Sequence, residues 1–76
     1  MTTDEKLVYM ANQIARNFAR MGGPKAAAAT ADHLARYWDP GMRTRIFQLL
    51  DTPGCGLDAT AAEAVRRLRQ QESEIT

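Results

Sequence analysis

The sequence is short of most things that hold a small protein together. It has one cysteine, Cys55, so no internal disulfide can form. With its one histidine, His33, that cysteine falls short of the three or four protein ligands of a zinc site. The net charge of +1, with a pI near 7.9, leaves no electrostatic footprint for nucleic acid. No apolar run approaches the roughly 18–20 residues of a membrane span. The opening MTTDEKLVYM has neither the basic nor the apolar region of a signal peptide. No stretch alternates apolar and polar residues with period two, which argues against a sheet. A chain of 76 residues buries only a modest share of its unfolded surface. With disulfide and metal excluded, a partner is the expected support, either another chain or a second copy. The free thiol suits a reducing compartment, and the expected location is the cytoplasm.

What is present is helical punctuation. Gly22-Gly23-Pro24, Asp39-Pro40-Gly41 and Thr52-Pro53-Gly54-Cys55-Gly56 divide the chain into four segments. In the first, Thr2 and Glu5 have capping-box spacing. Leu7, Met10, Ala11, Ile14, Phe18 and Met21 recur every three or four residues as one apolar stripe. Gly22 stands where a left-handed C-cap belongs. The second segment opens on Pro24 and runs through alanine-rich sequence, the best helix former. Its stripe is Ala27, Ala31, Leu34 and Trp38, small at the start and large at the end.

Asp39 precedes a proline and is pushed out of the helical region. It is also a strong N-cap, with Pro40 suited to the next position. The third stripe is Met42, Ile46, Leu49 and Leu50. Two helices joined this tightly cross at a large angle, with Trp38 at the corner. After the glycine loop, Leu57-Asp58 reads as a hydrophobic residue followed by an N-cap, with Thr60 and Glu63 as an alternative box. Ala61, Val65 and Leu68 form a short last stripe. The expected fold is all-α, a single domain over residues 1–76. It is a small bundle of three to four helices, with a tight corner at Trp38-Asp39-Pro40. The expected helices lie at about 3–21, 24–38, 40–50 and 59–70, and 71–76 reads as a flexible tail.

Candidate chemistry is thin. Asp32 and His33 are adjacent, the residue types of a general base. Neighbours on a helix point about 100° apart, so Asp32 does not face His33. No Ser or Cys nucleophile stands one turn away. The plainer reading is a solvated or capping Asp32 and a surface or interface His33. Pro53-Gly54-Cys55-Gly56 lacks the spacing and the Lys-Ser/Thr of a phosphate loop and reads as a turn needing positive φ. The arginines fall into three sets, Arg16/Arg20, Arg43/Arg45 and Arg66/Arg67/Arg69. They are either solvated helix faces or contacts for an acidic partner or RNA. No aromatic residue alternates with them as a stacking platform. Tyr37 and Trp38 are consecutive and point to different sides, so one enters the core and the other is exposed. Tyr, Trp, Met and Arg are enriched at interfaces. The candidate partner-binding residues are therefore His33, Arg36, Tyr37, Trp38, Asp39 and Arg43.

Three blocks carry a family resemblance: LVYMANQIARNF (Leu7 to Phe18), ADHLARYWDPGMRTRI (Ala31 to Ile46) and GCGLDATAAEAV (Gly54 to Val65). In this order they resemble the delta subunit of cytoplasmic, NAD-dependent formate dehydrogenases that use molybdenum or tungsten. Two positions depart from the pattern. Gly41 stands where a basic residue tends to follow WDP, and Ala59-Thr60 where Pro-Leu is more usual. The resemblance implies a non-catalytic accessory subunit with no cofactor of its own. It would dock on the catalytic alpha subunit and support assembly or stability. In that family the alpha subunit holds molybdopterin and iron–sulfur clusters; other subunits hold FMN, further clusters and the NAD site. A competing reading is a small helix-turn-helix nucleic-acid-binding regulator, prompted by the tight junction and Arg43/Arg45. Its weak points are the near-neutral charge and Pro40. Isolated from its partner, the chain could self-associate through the same apolar patch.

Overall fold

In the computed structural model, which describes residues 1–75, four α-helices follow one another: α1 (Thr3–Asn17), α2 (Gly23–Tyr37), α3 (Pro40–Leu50) and α4 (Ala59–Ile75). A short 3-10 turn, Ala19–Met21, links α1 to α2. No strand occurs among the described residues. None of the described helices is long and apolar enough to cross a membrane.

Local chemistry sets the starts. Thr2 Oγ1 accepts from the Glu5 N–H at 3.2 Å, and Glu5 Oε1 accepts from the Thr2 N–H at 3.0 Å, closing the box at the head of α1. The backbone bond from Thr2 holds the Glu5 carboxyl below its usual range. Asp39 Oδ1 accepts from the Met42 N–H at 2.9 Å and caps α3, with Pro40 in its first turn. Asp39→Ala is expected to cost about 1 kcal/mol of stability through loss of this cap. A chemical denaturation midpoint that does not move would show that the cap is energetically idle. A Cβ at Gly41 would lie 3.3 Å from Asp39 Oδ1. The absence of a Cβ at this position therefore gives the capping carboxylate slightly more room.

The first helix ends sooner than the expected residue 21. The Phe18 N–H is shared between Ile14 O at 3.3 Å and Ala15 O at 3.2 Å, and the chain tightens into the 3-10 turn. Gly22 has positive φ, as anticipated, but with ψ 159° it is extended rather than left-handed helical. It serves as the N-cap of α2 and not as the C-cap of α1. That backbone region is open essentially to glycine alone. Gly54 and Gly56 also have positive φ, in keeping with the turn expected there.

Trp38 has already left α2, with φ −90° and ψ 135°, so the helix stops at Tyr37. Two extended residues, Trp38 and Asp39, make the whole α2–α3 junction. Arg43 braces it: Nη1 donates to the Trp38 carbonyl, and Nε meets Glu72 Oε2 at 2.9 Å. That second contact bears on the last helix. Residues 71–75, expected as tail, continue α4, with Glu72 held by α3 and Gln70 donating to Glu74 one turn on at 3.5 Å. Thr76, the end of the expected tail, lies outside the described residues.

The core comprises Leu7, Val8, Ala11 and Ala15 from α1, Ala31 and Leu34 from α2, then Trp38, Ile46 and Leu49, and Ala61, Ala64, Val65 and Leu68 from α4. Helices α2 and α4 share the largest interface. Their buried faces are rich in alanine, which lets the backbones approach closely. Thr30, fully buried, satisfies its hydroxyl by donating to Ala26 O at 2.7 Å. The α1 stripe is turned from the expected one. Val8 and Ala15 point inward, while Met10 and Met21 are exposed.

Candidate partner-binding surface

The structure separates the six candidate residues. Trp38 is buried, its ring part of the core. The Asp39 carboxylate caps α3, and Arg43 is tied to Trp38 O and Glu72. These three build the corner itself. His33, Arg36 and Tyr37 lie on the outer side of α2, where Tyr37 is 71% exposed and Arg36 is largely exposed. The consecutive Tyr37 and Trp38 thus divide as expected, one out and one in.

His33 makes aromatic contacts rather than an acid–base pair. Its ring lies 4.7 Å from that of Tyr37, tilted by 47°, and 6.3 Å from that of Phe18, edge-on at 63°. Asp32 turns to Arg36 one helical turn on, at 2.9 Å. The adjacent His and Asp therefore do not orient each other. Among the described residues, no group of three or more His, Cys, Asp or Glu side chains could hold a metal ion.

The rings of Phe18, His33 and Tyr37 extend a line that begins on α1. Ile14 and Met10 stand one and two turns before Phe18 on the same side of the helix. Met10 is 37% exposed, and Ile14 is half-buried against the core. The result is a continuous apolar and aromatic strip from Met10 across to Tyr37. Sequence reasoning named its two α2 members and missed the α1 half. The available signal was an α1 apolar set wider than one thin core can absorb.

The arginines are largely committed to the chain's own carboxylates. Arg45 grips both oxygens of Asp4, at 2.8 and 2.6 Å. That hydrogen-bonded pairing holds the Asp4 carboxyl below its usual range. A carboxyl depressed in this way adds stability above its unfolded pKa, and the contribution is lost as pH falls through the folded value. Arg16 meets Asp58 at 3.5 Å, Arg69 meets Asp51 at 2.8 Å, and Arg67 meets Glu63 at 3.4 Å. Exposed pairs of this kind add little stability. Their consequence is a surface of balanced sign. Arg43 and Arg45, which prompted the helix-turn-helix reading, are both occupied.

Asn12 lies off the apolar stripe of α1, and nothing near it in the sequence marks it out. Its Nδ2 donates to Gly56 O at 2.9 Å and its Oδ1 accepts from the Asp58 N–H at 2.8 Å. It fastens the glycine loop and the start of α4 to α1. Helix α4 begins at Ala59, so the start marked by Asp58 prevails over the alternative box at Thr60 and Glu63.

No curated protein and no solved structure matches the chain. A family model does, over residues 6–65, a stretch that holds Asn12, the corner and the whole strip from Met10 to Tyr37. That family is the NADH-dependent formate dehydrogenase delta subunit FdsD, and the chain belongs to it.

Proposed function

We propose that this chain is a non-catalytic, cytoplasmic accessory subunit of formate dehydrogenase. It docks on the catalytic subunit and supports assembly or stability of the complex. Beyond family membership, one observation carries the reading: an exposed apolar and aromatic strip on an otherwise charge-balanced surface. Molybdopterin, iron–sulfur clusters, FMN and NAD belong, on this reading, to the partner subunits. Here the adjacent acid and imidazole are engaged structurally, Asp32 by Arg36 and His33 by two aromatic rings.

Co-expression of the complex with and without this chain tests the proposal. Without it, recovery of assembled complex and formate-dependent NAD reduction are expected to fall several-fold. Equal recovery, cofactor content and activity in both preparations would overturn the accessory role.

A further inference from the structure

The strip has a charged border. Among the described residues, Lys6, Arg20 and Lys25 are the cationic side chains without a carboxylate partner. Lys6 sits one turn before Met10, and Arg20 lies in the 3-10 turn between Phe18 and Met21. The two cations bracket the α1 half of the strip, roughly 20 Å apart at about 1.5 Å per helical residue. No carboxylate without a basic partner lies between them, since Gln13 and Asn17 are the polar residues on that side.

We propose that this face receives an acidic amphipathic helix of a partner subunit. Its apolar side would rest on Met10, Ile14, Phe18 and Tyr37, and its carboxylates would meet Lys6 and Arg20. This rests on the accessory-subunit reading and adds the face and the chemistry of what covers it. A narrow row of side chains at one-turn intervals is a ridge that fits between the rows of another helix. Opposite charge at both ends fixes its register and speeds encounter. A second copy of this chain fits poorly. An isologous contact would lay the face on itself and bring unpaired cations against unpaired cations.

The test uses the assembled formate dehydrogenase complex and the full chain. Photoreactive benzoylphenylalanine replaces Met10 or Tyr37 in turn, with Ala28, on the opposite side of α2, as control. Crosslinks from positions 10 and 37 are expected on a helical, acidic segment of a partner subunit, and none from position 28. The charge reversal K6E/R20E touches no ion pair of the chain. It is expected to leave the melting temperature unchanged and to weaken retention in the complex at least tenfold. Crosslinks from position 28 alone, to another copy, or to a basic segment would overturn the inference while leaving the accessory role standing. Full retention of K6E/R20E would do the same. A wild-type chain that never co-purifies with the complex would overturn both.

Discussion

Trp38→Ala is expected to destabilise the protein by about 3–5 kcal/mol, the usual cost of emptying a buried aromatic site. Domains are stable by only about 5–15 kcal/mol in total, and one this small sits low in that range. The loss is one of packing. Trp38 is 6% exposed and belongs to the cluster that joins all four helices. The bond from Arg43 reaches its backbone carbonyl and survives the substitution. Unfolding followed by circular dichroism is the suitable readout, because the variant lacks the only tryptophan. Trp38→Phe should recover part of the loss. An alanine variant with an unchanged denaturation midpoint and undiminished retention in the complex would contradict the role assigned to this residue.

Asn12→Ala is expected to cost about 2 kcal/mol, because it strands a backbone carbonyl and a backbone N–H that Asn12 now satisfies. The cost stays moderate because Asn12 is only half-buried and water can reach part of the gap. Asn12→Asp separates the two bonds. An aspartate at position 12 still accepts from the Asp58 N–H but faces the Gly56 carbonyl with negative charge, on a segment that already carries the Asp58 carboxylate. It should therefore fail to rescue. Thermal unfolding of both variants checks this; an aspartate variant as stable as wild type would mean the bond to Gly56 contributes nothing.

These two residues mark where the sequence could and could not be read. The corner was legible because its causes are local: a proline restricts the residue before it, and an aspartate caps the helix after it. The capping box at Thr2 and Glu5 was legible for the same reason. Asn12 was not, since its partners are loop backbone atoms 44 and 46 residues away. The orientation of α1 was half legible. Periodicity showed an apolar side, but whether Met10 or Val8 points inward depends on where α2 and α4 press. The extent of α4 depends similarly on Arg43 holding Glu72, a contact 29 residues apart. Within the candidate site, His33, Arg36 and Tyr37 were placed by simple exclusion from the core. Trp38, Asp39 and Arg43 carry the right residue types for an interface but are engaged by the fold itself, Trp38 in the core and the other two in hydrogen bonds.

The brace at the α2–α3 junction has a consequence for the free energy of association. A capped helix start, a proline in its first turn and a guanidinium that holds both the Trp38 carbonyl and Glu72 restrain this joint. A surface mounted beside such a joint meets its partner already in shape. Little conformational entropy is then lost on contact, and affinity does not have to be recovered from extra area. A weld rather than a hinge suits a chain of this size, whose stability leaves little to spend on rearrangement.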